Sequence, residues 1–340
     1  MKAEKQEVQS LLSGIIGTFM GRDALQMAVA ALNLGELDVA LLPAYLCEEV
    51  LKPFARRCRV EFYDVCPDTT IDPVVLERQL IQHRPKVVLF INYFGFLQPR
   101  RSRIKELCAS SGALLIEDCA HSLLTAGSGE TGDWIVHSFR KILPLPDGGG
   151  LKANRKTECL RPLFRSTIFA NVLSMLIVIK SRLGVSGSLF NRANLTPRGN
   201  RMEPEQGARV VAQVFMPMST LTRRRLTRQN LDDITKRRRA DFDYWLEWSA
   251  RESGTTPLFD SLSDGVCPFG FPIIVKNRAQ MKADLERKGL LIRTHWRLPR
   301  SVGAEFVNSH QLAQHTLTLP LDHEFDDRQR IFFRNTAPVV

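Results

Sequence analysis

The sequence predicts an α/β protein, with a large domain on a mostly parallel sheet followed by a small α+β domain. Three observations carry this prediction. Short apolar runs recur without alternating polar positions, helical segments with one apolar face separate them, and the elements become fewer and shorter after Gly254. A strand that is apolar on both faces must be covered on both faces, which is the arrangement of a parallel sheet between helical layers. The expected division is 1–250 for the large domain with a following helical segment, and 251–340 for the small one.

Each element has its own signal. Asp23 to Leu34 places Ala24, Leu25, Ala28 and Leu32 at helical spacing. Asp38 to Leu42 is a short apolar run closed by Pro43, and reads as a buried strand. A helix over Glu48–Arg57 leads to a strand over Arg59–Val65, and the alternation then repeats. It gives helix Pro73–His83, strand Lys86–Asn92, helix Arg101–Ser110 and strand Ala113–Glu117, then strand-like runs at Trp134–Phe139 and Gly150–Ala153. From Glu203 to Arg251 the pattern is helical and charged. The small domain follows with strand Phe271–Val275, helix Ala279–Lys288, strand Leu290–Thr294 and strand Thr316–Leu319.

With 44% hydrophobic and 24% charged residues, the chain has the composition of a folded globular protein. The net charge of +11 favours anionic partners without choosing among nucleotides, phosphates, nucleic acid and membrane surfaces. Much of that charge lies in Arg223–Arg225 and Lys236–Arg239, which lack interleaved aromatics and read as a solvated helix face rather than a nucleic-acid site. The seven cysteines, Cys47, Cys58, Cys66, Cys108, Cys119, Cys159 and Cys267, form no CxxC pair and no metal-ligand spacing, so reduced thiols in a cytoplasmic setting are expected. Met1–Gln9 lacks the apolar core of a signal peptide. Ile168–Ile179 is almost wholly apolar yet shorter than the ~20 residues of a membrane span. It reads as a buried or subunit-interface helix, with contact at a membrane surface as the alternative.

In open parallel sheets, ligands gather at the carboxyl ends of the strands. Three segments stand near such ends or at a helix start. In Ile116–His121, Asp118 follows a buried strand, with His121 three residues on; a plain turn cap is the structural alternative. In His137–Lys141, a lysine close behind a strand loses hydration, which lowers its pKa and makes the amine nucleophilic. Ser138 stands three residues before it, and Asp147 to Gly150 follow; alone, this would read as a surface lysine ahead of a glycine turn. At Gly21–Leu25 the free N–H groups of a helix start suit a phosphate, with Arg22 adding charge and Asp23 in the first turn.

The order and spacing of these segments resemble fold type I enzymes that depend on pyridoxal phosphate (PLP), and more narrowly the DegT/StrS sugar aminotransferases. The similarity spans most of the chain: Leu42-Pro43-Ala44-Tyr45, Asp64-Val65 with Asp68 and Ile71-Asp72-Pro73, Asn92-Tyr93-Phe94-Gly95, Glu117 to His121, Lys141 to Gly149, and Leu317 to Leu321. The resemblance implies that Lys141 forms the Schiff base with PLP and moves protons during the reaction. It further implies that Asp118 pairs with the ring nitrogen, that His121 lies against or near the ring, and that Ser138 with the Arg22–Asp23 backbone binds the phosphate. A homodimer is implied as well, and so is transfer of an amino group from a donor such as glutamate to a nucleotide-linked keto sugar. A PLP enzyme of another reaction type, such as a dehydratase, and a non-catalytic binding relative are the alternatives. Arg293, His295, Trp296 and Arg297 are candidates for the substrate entrance.

Three departures stand out. The family has two more residues between its Ser-Phe pair and the lysine than Ser138-Phe139-Arg140-Lys141 allows. Cys47 stands where many relatives carry an aromatic that packs on the ring. The Asn that reaches a partner subunit's phosphate has no clear match: Met216–Ser219 lies near its place, and Asn191, Asn194 and Asn200 are substitutes without a basis for choice.

Overall fold

A computed structural model describes residues 2–154, 163–182 and 214–335. Cys159, Asn191, Asn194 and Asn200 lie outside the described residues, as does the 203–213 part of the expected charged helical segment.

Helices α1 (Lys2–Leu11), α2 (Gly21–Ala31), α3 (Glu48–Ala55), α4 (Pro73–His83) and α5 (Arg101–Ser111) alternate with strands β1 (Ile15–Thr18), β2 (Val39–Pro43), β3 (Arg59–Tyr63), β4 (Val87–Ile91) and β5 (Leu114–Asp118). Strand β6 (Trp134–His137), the short helix α6 (Phe139–Ile142) and strand β7 (Gly149–Ala153) complete the large sheet. Its order is β1-β7-β6-β5-β4-β2-β3. Strands β2 to β6 pair in parallel, while β7 runs antiparallel to both β6 and β1.

The local chemistry of these elements is legible. In β4, Val87-Val88-Leu89-Phe90-Ile91 is buried at every position, as a strand covered on both faces must be. Helix α4 starts where the Asp72 side chain accepts from the Val74 N–H at 2.9 Å with Pro73 at its first position, and it ends at Arg84 in the left-handed conformation. The chain passes from β2 outward to β3 and then back to β4 on the other side of β2. The crevice at that reversal opens at the carboxyl ends of the strands.

After this sheet come β8 (Leu163–Phe164), α7 (Thr167–Arg182), β9 (Val214–Phe215), α8 (Thr220–Leu226) and α9 (Leu231–Ser249). The small sheet holds β10 (Thr255–Pro257), β11 (Phe271–Val275) and β12 (Thr316–Leu319) in antiparallel order, with α10 (Arg278–Arg287), α11 (Val307–His315) and α12 (Asp327–Asn335) around it. Its core draws Phe242, Tyr244, Trp245 and Trp248 from α9, together with Phe271, Ile273, Leu317, Leu319 and Phe325. Helix α9 thus precedes residue 250 yet places its aromatic face in the second core.

Three expectations need correction. Leu290–Thr294 is not a strand: only Arg293 makes a bridge, to Thr318, while Leu290 and Ile292 turn their side chains into the small core. The Lys236–Arg239 run is not simply a solvated face, because Arg238 is 2% exposed. A run of four cations turns through a full helical revolution, so one of them must face inward. Nor is the Ile168–Ile179 helix simply buried. In α7, Ala170, Leu173 and Ser174 are covered, whereas Ile168, Val172, Met175 and Leu176 are all more than half exposed.

Candidate active site

Strand alternation separates two adjacent acids at the end of β5. Glu117 pairs across to Ile135 and Asp118 to Val136, so their side chains leave opposite faces of the sheet. The Glu117 carboxylate accepts from the Asn92 amide at 2.9 Å and from the N–H groups of Gly129, Thr131 and Gly132 at 3.0, 2.9 and 3.0 Å. Its lone pairs are given over to holding the 129–132 loop. Asp118 accepts one local bond, from the Ala120 N–H at 2.8 Å. Burial raises its pKa, and the positive charge of Lys141 is the largest opposing influence.

Lys141 sits on α6, the short turn that follows β6 and is closed by Leu143. Its side chain stays partly open to solvent. Removal from bulk water lowers its pKa, and the nearby Asp118 carboxylate partly offsets that, followed by the Cys47 thiol. The Asp118 and Lys141 charges thus act on each other's ionisation, although no direct ion pair forms between them. Cys47 stands at the start of α3 beside them.

His121 stacks on Phe269 with ring centroids 4.0 Å apart and planes 4° apart, and it lies near-parallel to Trp296 at 5.5 Å. Its Nδ1 accepts from the Phe94 N–H at 3.4 Å. Burial, then the charge of Lys141, holds its pKa well below the usual histidine range, so the ring is neutral near pH 7. His295 meets His121 edge-on at 5.6 Å, and burial pushes its pKa down to about 3. Tyr45 and Tyr93, the residues just beyond β2 and β4, complete this aromatic wall. Their rings stack at 5.3 Å, and the Tyr93 hydroxyl donates to the Tyr45 carbonyl at 2.6 Å. Both also pack on Trp296, at 5.2 and 6.0 Å.

The start of α2 lies against Ser138. A Cβ placed on Gly21 would come within 3.1 Å of the Ser138 Cβ and 3.4 Å of its Oγ. Gly149 fits from the other side, where any side chain would overlap the Met20 backbone, and Gly148 takes φ +126°, a conformation open to glycine. The side chains of Arg22 and Asp23 are otherwise engaged. Arg22 pairs with Glu49 at 2.8 Å. Asp23 accepts from the Met20 N–H at 2.8 Å, closing the helix start on itself, and burial pushes its pKa up to about 6. What the first turn of α2 offers a ligand is backbone N–H, not these side chains.

The glycine turn is anchored from behind. Asp147, fully buried, accepts from the Ser219 N–H at 3.0 Å and from the hydroxyls of Ser219 and Thr222 at 2.6 Å each, and from Ser174 on α7. The Met216–Ser219 segment thereby runs beside β1, with the Phe19 N–H donating to Met216 O at 2.9 Å. Arg238 ties the site to the small core. Its Nε donates to Pro268 O at 2.7 Å, its Nη2 to Phe269 O, and its Nη1 to Ile142 O at 3.5 Å. One guanidinium thus links the stacking partner of His121 to the residue after Lys141.

Of the six expected site residues, Asp118, Lys141 and His121 influence one another's ionisation, while Arg22 and Asp23 stand in the first turn of α2, whose Gly21 packs on Ser138. Of the expected entrance residues, His295 and Trp296 face the site, Arg293 forms a two-pronged pair with Glu324, and Arg297 is exposed. Tyr45, Tyr93, Phe269 and Arg238 had no site role from sequence. The two tyrosines carry a usable signal, since each lies two residues beyond a buried strand. Phe269 and Arg238 arrive only by tertiary packing. Among the described residues no group of three or more acidic, His or Cys side chains is placed to hold a metal.

Residues 14–154 match the model of the DegT/DnrJ/EryC1/StrS aminotransferase family. No curated protein matches the chain. Among solved structures, the chain is similar to a DegT/DnrJ/EryC1/StrS aminotransferase from Brucella abortus, with 18% identity, a TM-score of 0.69, and 98% of this chain and 89% of that one covered. NtdA from Bacillus subtilis, with bound cofactor PMP, aligns at 17% identity and a TM-score of 0.64 over 97% of this chain and 75% of that one. A mutant of GDP-4-keto-6-deoxymannose-3-dehydratase (ColD) with bound GDP-perosamine aligns at 16% and 0.65 over 98% and 92%. At these identities the structural likeness establishes the fold, the PLP-dependent transferase fold of type I.

Proposed function

We propose that this chain, a divergent member of the DegT/DnrJ/EryC1/StrS aminotransferase family and thus a PLP-dependent enzyme, moves an amino group from an amino acid such as glutamate to a keto group on a nucleotide-linked sugar. The observation that carries this reading is the opposed pair Asp118 and Lys141 at the strand ends, beside a helix start packed on Ser138.

The residues fit the cofactor. A glycine cradle that any Cβ would fill faces Ser138 and the first N–H groups of α2, which suits a phosphate. Lys141 would hold the cofactor through Nζ, Asp118 would take the ring nitrogen, and His121 would orient the ring from its place against Phe269 and Trp296. PLP supplies an electron-withdrawing ring that stabilises negative charge on the substrate carbon. Everything else falls to the chain. Asp118 would pair its carboxylate with the ring nitrogen. Lys141, whose pKa is lowered by burial, would accept a proton at the substrate carbon and return it. His121 and His295 stay neutral and add no competing charge, and the aromatic wall excludes water.

The same reading gives a homodimer in the cytoplasm, divided at about residue 250. Its support is the apolar strip of α7, where Ile168, Phe169, Val172, Met175, Leu176 and Ile179 are 43–73% exposed. Six cysteines are free thiols, and among the described residues no helix is long and apolar enough to cross a membrane. A dehydratase among the structural relatives keeps a second reaction type in view, because one cofactor arrangement serves several chemistries. Spectroscopy separates the two. Adding glutamate, or a panel of other amino acids, to the PLP-loaded protein should replace its visible absorption band with that of pyridoxamine phosphate. Failure with every donor would overturn the transaminase reading and leave the cofactor assignment standing.

A further inference from the structure

The glycine turn at Gly148 and Gly149 follows directly on a buried carboxylate. Asp147 takes four donors, one N–H and three hydroxyls, with no lysine or arginine among them. The Ser219 N–H reaches Oδ1 at 3.0 Å. The hydroxyls of Ser174, Ser219 and Thr222 converge on Oδ2, the last two at 2.6 Å each. Ser219 also caps α8, accepting from the Thr222 N–H at 3.0 Å. An acid satisfied in this way has nothing left for a ligand, so its effect passes through the segments it joins.

Those segments form a closed ring around the start of α2. Ser219 continues from Met216–Met218, which lies along residues 17–19. The Met218 N–H donates to Gly17 O at 3.2 Å, and the Phe19 N–H to Met216 O at 2.9 Å. Residues 17–19 are tied back to the glycine turn, because the Gly148 N–H donates to Phe19 O at 2.6 Å. Asp147, next to Gly148 and bonded to Ser219, closes the ring. Within it, Gly149 lies so near the Met20 backbone that a Cβ would overlap it, and Gly21, where α2 begins, rests on Ser138. The placement of the first α2 N–H groups against the Ser138 hydroxyl is therefore set by a ring whose polar clasp is Asp147. Phosphate oxygens need several donors in fixed directions at once. A cradle assembled beforehand binds them more tightly than one that must be ordered.

We propose that Asp147 is a positioning residue for phosphate capture. It touches no ligand; by clasping Ser174, Ser219 and Thr222 it holds the α2 start and Ser138 in the arrangement that takes the cofactor's phosphate. This rests on the proposed function and adds to it a residue that acts on the phosphate end of the cofactor and not on the lysine end.

Two aldehydes separate those ends: PLP, and pyridoxal, which lacks the phosphate but keeps the carbonyl that reacts with a lysine. Affinities for both are measured by absorbance titration of the full chain as wild type, Asp147→Asn, Thr222→Val and Thr222→Ser. Circular dichroism of the unloaded proteins checks that each is folded. Asp147→Asn should weaken PLP binding by about tenfold to a hundredfold while pyridoxal affinity stays within about threefold. Thr222→Val removes one hydroxyl donor at nearly constant shape and should weaken PLP binding by about threefold to tenfold, and Thr222→Ser should restore it. Should Asp147→Asn fail to fold, the Thr222 pair decides by the same ratio of the two affinities. Equal losses for both aldehydes, or no loss for either, overturn the positioning role and leave the proposed function standing. Uptake of neither aldehyde by the wild type overturns the proposed function and this inference with it.

Discussion

Two buried acids stand side by side at the end of β5, and they have opposite fates. Glu117, 0% exposed, is saturated by four donors and fixes a loop on one face of the sheet. Asp118, 6% exposed, has one local donor and confronts Lys141 on the other face. Burial alone does not tell a structural carboxylate from a functional one. Hydrogen-bond accounting does: an acid whose lone pairs are all used cannot serve a ligand, and one left undersatisfied beside a cation can.

The largest expected effects break this comparison open. Glu117→Ala leaves three backbone N–H groups and the Asn92 amide without their acceptor, so denaturant unfolding should show a loss of about 3–5 kcal/mol. Asp118→Asn should leave unfolding stability within about 1 kcal/mol, yet reduce turnover by roughly a hundredfold or more, since an amide cannot hold a ring nitrogen protonated. A reversed outcome, with Glu117 affecting turnover and Asp118 only stability, would undo the distinction.

A smaller effect sharpens it with pH. His295 and His137 are buried neutral, with pKa values pushed down to about 3 and about 4 by burial. Unfolded, each would titrate near 6.5, so the unfolded chain binds the extra protons first as pH falls. Their contribution to stability is full above about 6.5 and is lost as pH drops toward 4 and then 3. Asp23, pushed up to about 6, works in the opposite sense over the upper part of that window. Thermal unfolding of the cofactor-free protein should show a net fall in Tm on acidification from pH 7 to 4. A His137→Gln variant should flatten that fall. Among the described residues the His137 Nδ1 has no hydrogen-bond partner, and burial, aided by the charge of Lys152 and opposed by Glu117, disfavours its protonated form.

The parts legible in the sequence are those decided locally. Apolar runs announced β2, β4, β5 and β6, and Asp72-Pro73 announced the start of α4. Asp118 and Lys141 were legible because each follows a buried strand. Edge strands of three or four residues such as β1 and β10 carry too little periodicity to be seen. Leu290–Thr294 looked like a strand because Leu290, Leu291 and Ile292 form a continuous apolar run, although a single bridge is all it forms. Arg238 was unreadable for a different reason. Its burial depends on the carbonyls of Pro268, Phe269 and Ile142, 30, 31 and 96 positions away in sequence, and no local pattern encodes such a cluster. The aromatic wall is likewise assembled from β2, β4 and the 295–296 segment, and so exists only in the folded chain.

The central claim is that Lys141, opposite Asp118, is the residue that binds PLP covalently. Borohydride reduction of the PLP-loaded protein, followed by proteolysis and mass spectrometry of the peptides, tests it most directly. A pyridoxyl group is expected on Lys141 alone. A label on Lys152, or no label on any lysine, would contradict it.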